Sequence, residues 1–394
     1  MREWGRIGCI GFGGPPAHMA LLRDLCVTRR QWLTDAQFER AIAATNLLPG
    51  PASTQLAIYC AWRLRGTRGA LLGGLGFILP GLILILALSA LFLSGSPPGW
   101  LLGAGRGAGA AVAAVAVRAG LGVGAPIWSR ASRGERARVL AYALAGAAAA
   151  ALAGAWLVLA LLACGAIELA RRRLAFGAPG AHLWSLPAAS QLRRVLQHPL
   201  AGSGSPLPLL TAAADPGGTW ALVWTALKVG ALAFGGGFVI VPLMQSDAVG
   251  TYHWMTHGQF LNAVALGQVT PGPVTQTVAA VGYSAAGLPG ALLAALVAFA
   301  PSFSFILLGA ARFERMLVND RVLAFLAGAA PAAAGAIIGA AVPLATALSE
   351  SWQYAVLAGA AIALLVLRAG VVGTLLLAGC VGVGASLLGA PIPR

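Results

Sequence analysis

Two Pro-Gly-Pro tripeptides interrupt apolar stretches of the chain, at residues 49–51 and 271–273. Proline lacks an N–H group and clashes with the preceding helical turn, so each tripeptide stops a helix. A helix that restarts beyond it presents free backbone N–H groups at its positive end. In an apolar medium such an end favours an anion, particularly a tetrahedral oxyanion. The alternative is a structural kink. The candidate anion-binding residues of the tripeptides are Pro49, Gly50, Pro51, Pro271, Gly272 and Pro273.

Small polar residues flank both tripeptides at similar spacing. Asn46 and Gln268 each stand three residues before a tripeptide. Hydroxyl and amide side chains can donate hydrogen bonds to an oxyanion and so set selectivity. The polar residues that follow the tripeptides are Ser53, Thr54, Gln55, Thr275, Gln276 and Thr277.

Glycine clusters follow Phe12 and Phe234. Glycine allows positive φ and a close approach of backbone to a ligand. The alternative is close helix packing through small residues. The candidates for substrate binding are Gly13, Gly14, Gly235, Gly236 and Gly237.

Arg6 and Lys228 each stand six residues before the phenylalanine of a glycine cluster. A basic residue in a membrane segment is costly unless it is paired or functional, so both are candidates to balance a doubly charged ligand. The alternatives are a terminal topology charge for Arg6 and a snorkelling side chain for Lys228.

Further ionisable residues near these segments are candidates for charge or proton coupling. A histidine titrates most readily near neutral pH. The alternatives are an interfacial Arg23–Asp24 ion pair and a place for Glu39 on the polar face of a helix. The coupling candidates are Arg6, His18, Arg23, Asp24, Glu39 and Asp247.

Composition places these residues in a membrane protein. The 394 residues are 59% apolar and 9% charged, with a mean hydropathy of +0.82. A soluble domain is near half apolar and a quarter charged. This argues against a soluble enzyme, a disordered chain and a nucleic-acid binder, and predicts a multi-pass membrane protein with the lipid bilayer as its partner.

The basic residues and the cysteines limit which other functions are possible. The net charge of +15 comes from arginines in short patches between apolar runs, which is typical of topology signals. The only lysine, Lys228, lies outside any phosphate-binding Gly-Lys-Ser/Thr motif, so the chain is not an ATP-driven pump by itself. The five cysteines form no CxxC pair, and we expect no metal or cofactor.

The chain contains the same unit twice. Phe12-Gly13-Gly14, Trp32 and Thr34 match Phe234-Gly235-Gly236, Trp254 and Thr256 at an offset of 222 residues, and Gly66 and Pro80 match Gly287 and Pro301 at 221. We therefore expect a first repeat over 1–173, a cytoplasmic linker over 174–218 and a second repeat over 219–394.

The expected fold is all-α, with about ten transmembrane helices. Each repeat would have one apolar helix interrupted by glycines (7–22; 220–245) and a broken or re-entrant pair at the Pro-Gly-Pro tripeptide. Two long helices and a hairpin would follow, giving five crossings.

Loop charges predict that the repeats have inverted topology. The loop with Arg63, Arg65 and Arg68 has an uncharged counterpart at 284–290, whereas the uncharged loop 94–99 has a counterpart with Arg312, Arg315 and Arg321. Basic loops face the cytoplasm, so equivalent loops lie on opposite sides. Inverted repeats with broken helices are typical of secondary transporters.

Several motifs carry a resemblance to a known family. They are Phe12-Gly13-Gly14-Pro15, Ala17-His18, Arg23-Asp24, Trp32-Leu33, Leu47-Leu48-Pro49-Gly50-Pro51, Gln55-Leu56-Ala57-Ile58, Phe77-Ile78-Leu79-Pro80, Lys228-Val229-Gly230, Phe234-Gly235-Gly236-Gly237, Pro242-Leu243 and Gly267-Gln268-Val269-Thr270-Pro271-Gly272-Pro273. In this order they resemble the chromate ion transporter family, in its long-chain form with two units. The segment before Phe12 is short for this family, which weakens the role assigned to Arg6.

The resemblance implies a multi-pass protein of the bacterial cytoplasmic membrane that exports chromate, driven by the membrane potential or the proton gradient. Sulfate would be a competing dianion. Short members of the family work as pairs, and a homodimer of this chain is a further possibility. One rival is a transporter of sulfate or another oxyanion. Rivals of another class are a membrane-embedded enzyme and a structural or sensory protein. The enzyme would need a nucleophile, a metal or paired carboxylates clustered in the bilayer, and the sequence offers none.

Overall fold

A computed structural model describes residues 1–48, 50–93, 97–152, 157–175, 218–233, 237–309 and 319–391. Within these ranges every regular element is a helix and there is no strand. Most of the expected linker lies outside the described residues, as do the loop arginines Arg312 and Arg315.

The first half contains seven α-helices and one π-helix among its described residues. They are α1 (Arg2–Ile10), α2 (Pro15–Arg23), a π-helix (Asp24–Arg29), α3 (Asp35–Leu47), α4 (Ala52–Phe92), α5 (Gly99–Arg130), α6 (Arg133–Leu152) and α7 (Leu157–Ala175).

The second half follows nearly the same order. Its helices are α8 (Thr219–Leu232), α9 (Ile240–Gln245), a π-helix (Ser246–Thr251), α10 (His257–Val269), a 3-10 turn (Val274–Gln276), α11 (Thr277–Gly309), α12 (Asp320–Gly339), α13 (Ala341–Thr346), α14 (Ser351–Ala361), a π-helix (Ile362–Val366) and α15 (Val371–Leu387).

The first apolar element is two short helices rather than the one interrupted helix expected over 7–22. Gly13 and Gly14 turn the chain with φ values of +99° and +74°. Each helix has nine residues, about 14 Å at 1.5 Å per residue, which is too short to cross a bilayer. Glu3 and Arg30 form an ion pair at 2.5 Å, so the chain returns beside its start.

The Pro-Gly-Pro region of the second half enters the protein and turns back. In the second half, Ser284 donates a hydrogen bond to the Trp254 carbonyl oxygen at 2.7 Å, which places the end of the returning segment beside the start of α10. The chain then bends at Gly287 (φ +61°, ψ −153°) and continues as the long part of α11. Gly66 bends α4 in the same way (φ +58°, ψ −146°). Both bends occupy backbone geometry that is nearly exclusive to glycine.

Four helical stretches are long and apolar enough to cross a membrane: Ala52–Phe92, Gly99–Arg130, Val274–Gly309 and Asp320–Thr346. They make the chain an all-α, multi-pass membrane protein. The shorter apolar helices include Thr219–Leu232, Ser351–Val366 and Val371–Leu387.

The two halves exchange packing partners. Helix α5 of the first half packs against α15, and α12 of the second half packs against α6 and α7. Glycines make the close approach possible: a Cβ at Gly107 would clash with the Ala378 carbonyl oxygen, and one at Gly335 with that of Ala143. Since lipid is as apolar as leucine, such small-residue contacts are what hold membrane helices together.

The bends at Gly66 and Gly287 generate a stability prediction. A methyl group added at either position would meet open space, apart from the Pro289 ring 4.0 Å from the one at Gly287. The cost of Gly66→Ala and of Gly287→Ala therefore comes from backbone strain and not from a steric clash. Each should cost about 1–3 kcal/mol and lower the midpoint of thermal unfolding in detergent, followed by tryptophan fluorescence.

The matched control is Gly122→Ala, an exposed helical glycine with open space around it. Alanine there should raise stability by about 0.5–1 kcal/mol, because it restricts the unfolded chain. Equal behaviour of all three variants would contradict the assigned bends.

Candidate functional site

The first hinge, residues 49–51, lies against helices of the second half. Gly50 is buried with φ of +120°, and a Cβ there would lie 3.3 Å from the Gly230 carbonyl oxygen and 3.4 Å from the Ser302 hydroxyl. Pro51 is the N-cap of α4. Pro49 lies outside the described residues.

The second hinge, residues 271–273, lies against the first half in a similar way. The Gly272 N–H donates to the Gly11 carbonyl oxygen at 2.9 Å. Gln276 Nε2 donates to the Ile78 carbonyl oxygen at 2.8 Å. Gly81 lets α4 pass beside the hinge, because a Cβ there would clash with the Pro271 carbonyl oxygen. Pro273 begins the 3-10 turn as its N-cap.

The helices that lead into the hinges begin differently from the helices that leave them. Helix α3 begins with a complete capping box, in which Gln37 N donates to Thr34 Oγ1 at 3.2 Å and Thr34 N donates to Gln37 Oε1 at 3.0 Å. Thr256 and Gln259 cap α10 in the same way. After the hinges, Pro51 and Pro273 provide no side-chain cap. The hinge helices therefore keep first-turn N–H groups available to a ligand.

Buried polar atoms without a hydrogen-bond partner among the described residues gather near the hinges. Such atoms are costly in an apolar interior, and each needs an explanation. A ligand that accepts hydrogen bonds would satisfy the hydroxyl groups and the amide nitrogen among them. They are Thr54 Oγ1, Gln268 Nε2, Thr270 Oγ1, Thr275 Oγ1, Gln276 Oε1 and Ser302 Oγ.

The other predicted hinge residues are buried but already have partners. Ser53 Oγ lies 3.1 Å from His18 Nδ1. Thr277 donates to the Val274 carbonyl oxygen at 2.8 Å, so its hydroxyl proton is used within the turn. Gln55 is fully buried against Gly50.

The two polar residues that precede the hinges have different surroundings. Gln268 is buried, whereas Asn46 is exposed. Only Gln268 therefore lies with the buried hinge group, although the sequence treats the two positions as equivalent.

The glycines of the two clusters differ in burial and in distance from the hinges. Gly13 is exposed and Gly14 half-buried, and both serve the turn between α1 and α2. Gly237 is buried with φ of +92°, and a Cβ there would lie 3.7 Å from the Thr275 N–H nitrogen. It therefore lies beside the second hinge. Gly235 and Gly236 lie outside the described residues.

Lys228 has an acidic partner. Its Nζ lies 2.5 Å from Asp247 Oδ2, which also accepts a hydrogen bond from Thr225 at 2.9 Å. The side chains of Lys228 and Asp247 are 18% and 9% exposed, so the pair is largely buried. The positive charge of Lys228, which we expected to balance a dianion, is thus already balanced by Asp247.

The predicted Arg23–Asp24 ion pair is wrong. Arg23 instead pairs with Asp35 at 2.8 Å and with Glu39, while Asp24 pairs with Arg29 at 2.7 Å. The reason is that Arg23 ends α2 and points toward the start of α3. All five residues of these ion pairs lie at the surface, as the alternative for Glu39 anticipated.

Arg6 is exposed and lines a cleft of about 250 Å³ with Glu3, Asp24, Arg29 and Arg30. This cleft is formed by α1, α2 and the π-helix, whereas the hinges lie in the interior. Arg6 and Lys228 thus occupy equivalent positions in sequence but different electrostatic surroundings.

A buried arginine in α5 escaped the sequence analysis. Arg106 of α5 is 5% exposed, and its Nε has no hydrogen-bond partner among the described residues. Its guanidinium lies against Gly258 of α10, where any side chain would clash with it. An arginine inside an apolar stretch long enough to cross a membrane is a signal that could have identified it.

The buried ion pair predicts a stability difference. Lys228→Met or Asp247→Asn alone leaves one partner without its counter-charge, and each should cost about 3 kcal/mol of unfolding free energy. The double variant should lose much less than the sum of the two, which thermal unfolding in detergent would measure as a double-mutant cycle.

Arg29→Gln is the matched control, because its pair with Asp24 is about half exposed. It should change stability by less than about 1 kcal/mol. Additive losses in the double variant would contradict direct pairing of Lys228 and Asp247.

Comparisons with known proteins agree with the fold and the motifs. The family described as "Chromate transporter" matches residues 1–169 and 220–384. The "Chromate transport protein" of Cupriavidus metallidurans is 33% identical over 350 residues, covering 86% of this chain and 80% of that protein. That of Pseudomonas aeruginosa is 32% identical over 358 residues, covering 88% and 80%. No solved structure matches the chain. The chain belongs to the chromate transporter family.

Proposed function

We propose that this chain exports chromate, with the anion held between the two Pro-Gly-Pro hinges. Membership of the family makes the chain a membrane transport protein and not an enzyme. One observation supports this site. Two helix starts without a side-chain cap lie close in sequence to buried donors that have no hydrogen-bond partner among the described residues. An oxyanion with four oxygens would complete the hydrogen bonds of both.

The binding roles follow from which donors are unoccupied. The first-turn N–H groups after Pro51 and Pro273 would hold oxygens of the anion, and the hydroxyls of Thr54 and Thr275 would donate to it. Gln268 Nε2 is a further donor near the second hinge. Gly50 and Gly272 allow the backbone to approach closely, since both need positive φ.

Positive potential at the site would come mainly from helix ends rather than from side-chain cations. Lys228 is balanced by Asp247, and Arg6 lies in the cleft near the start of the chain. This modifies the expectation that these two residues balance the dianion. Helix N-termini carry about half a positive charge each, so two of them offset about one of the two anion charges.

We further propose that the two repeats have inverted topology in the bacterial cytoplasmic membrane. Three observations support this: the alternating basic loops, the same local bends at Gly66 and Gly287, and the packing of each hinge against the other half. Rocking of one half against the other would then expose the shared site to each side in turn.

The membrane potential is a sufficient energy source for export. An inside-negative potential favours outward movement of a dianion by about 4.6 kcal/mol at 100 mV, or about 2.3 kcal/mol per charge. This corresponds to about a thousandfold gradient at equilibrium.

Sulfate is the main alternative substrate, because it has the same charge and shape. Inside-out vesicles containing the protein should accumulate labelled chromate when the potential is imposed alone, and excess sulfate should compete. No chromate accumulation, or sulfate transport alone, would contradict the substrate assignment.

The site residues predict which variants fail. Thr54→Val and Thr275→Val remove a donor but keep the shape, and each should raise the KM for chromate about 10–100-fold, as expected for a hydrogen bond to a charged group of about 1.5–3 kcal/mol. Thr346→Val is the control, since Thr346 is exposed and bonds only to its own helix. Wild-type KM values in both hinge variants would contradict the proposed site.

A further inference from the structure

His18 connects the two hinges through a short series of hydrogen bonds. Its Nδ1 lies 3.1 Å from Ser53 Oγ, two residues after the first hinge. Its Nε2 lies 2.9 Å from the Gly11 carbonyl oxygen, and that oxygen also accepts the Gly272 N–H of the second hinge at 2.9 Å. His18 is completely buried. A side chain thus links both parts of the proposed anion site.

The partners determine the tautomer. A carbonyl oxygen only accepts hydrogen bonds, so Nε2 carries a proton and donates it to Gly11. In the neutral ring, Nδ1 is then an acceptor, and the Ser53 hydroxyl must donate to it. The Ser53 proton is therefore directed at His18 and cannot be directed at an anion.

Protonation reverses this one bond. In the charged ring, Nδ1 is a donor, and Ser53 Oγ becomes its acceptor. The hydroxyl proton of Ser53 is then free to turn toward the hinge and donate to an oxygen of the anion. The bond from Nε2 to Gly11 stays as it was.

The groups that face the imidazole are neutral. They are the Gly11 carbonyl oxygen after α1, the Ser53 hydroxyl at the start of α4, and the Phe77 ring later in α4, whose centroid is 5.1 Å away in an edge-on arrangement. No ion pair to His18 occurs within the described residues. A charged imidazolium here lacks a counter-ion, and a bound dianion would provide one.

We propose that His18 takes up one proton when the anion binds, and that the protonated ring releases the Ser53 hydroxyl to bind the anion. This inference rests on the proposed function and specifies how its site depends on pH. Because binding linkage is reciprocal, the anion favours the protonated ring as much as the proton favours the anion. The protonated ring and the bound dianion together carry a net charge of −1, instead of the −2 of the dianion alone.

Only the first half contains this device. The position equivalent to His18 is Ile240, and Thr275, equivalent to Ser53, has no hydrogen-bond partner in the described part of the chain. Thr275 can donate to the anion at any protonation state. The second half therefore offers a matched control for the first.

The test is calorimetric titration of the full-length protein in nanodiscs with chromate, in buffers of different ionisation enthalpy. The buffer dependence of the heat gives the number of protons taken up per anion bound. Free chromate itself binds protons near neutral pH, so the variant His18→Gln serves as the reference. It retains an amide donor for Gly11 and has no titratable ring.

The wild-type protein should take up close to one proton more per chromate than His18→Gln. Between the pKa of the ring in the free protein and its higher pKa in the complex, the chromate affinity should fall about tenfold per unit rise in pH, relative to that variant. Ser53→Ala should bind chromate about tenfold more weakly at low pH. Thr275→Ala should weaken binding by a similar factor and keep the extra proton.

The outcomes separate the two proposals. Wild-type protein that binds no chromate would overturn the proposed function and this inference with it. The wild-type protein could also bind chromate without taking up a proton, once the protonation of chromate in solution is subtracted. That result would overturn the role of His18 but leave the proposed function intact, and it can be obtained without any variant.

Discussion

The structure depends on satisfying backbone groups where helices stop inside an apolar interior. Each Pro-Gly-Pro hinge breaks the regular hydrogen-bond pattern in the interior of the protein, where unsatisfied backbone groups are costly. The second hinge obtains its partners from the other half: the Gly272 N–H bonds to Gly11, and Gln276 bonds to Ile78. The first hinge lies in turn against Gly230 and Ser302. The first half therefore completes the hydrogen bonds of the second hinge, and the second half packs against the first hinge.

This constraint also explains where glycine and small residues concentrate. Gly81, Gly107 and Gly335 sit where one helix passes another at backbone contact, so any side chain would separate the helices. The polar groups that remain unsatisfied among the described residues include Thr54 and Thr275, which follow the two hinges. A buried donor without a hydrogen-bond partner destabilises the protein, and a bound anion would supply the missing acceptor. The same residues that destabilise the empty protein would thus stabilise the occupied one.

Much of the fold follows from local chemistry that a sequence contains. Proline predicts both helix stops, and the matched motifs predict equivalent elements. The matched residues Thr34 and Thr256 cap α3 and α10 in the same way. The tertiary partners do not follow. Nothing in the sequence pairs Lys228 with Asp247, or turns Arg23 away from Asp24 toward Glu39, because these contacts depend on how helices pack. Arg106 needs the space left by Gly258, which lies 152 positions further along the chain. The split of the first apolar element depends on positive φ at Gly13 and Gly14, which a glycine permits but does not require.

The central claim is that the two hinges enter the membrane from opposite sides and meet. It is tested most directly by the accessibility of one exposed position beside each bend, in protein whose five native cysteines have been replaced. Arg68→Cys and Leu288→Cys place single thiols at exposed positions two residues and one residue beyond Gly66 and Gly287. A membrane-impermeant maleimide should label the cysteine at position 288 from outside intact cells and the cysteine at position 68 only in inside-out vesicles. Labelling of both from the same side would contradict the account.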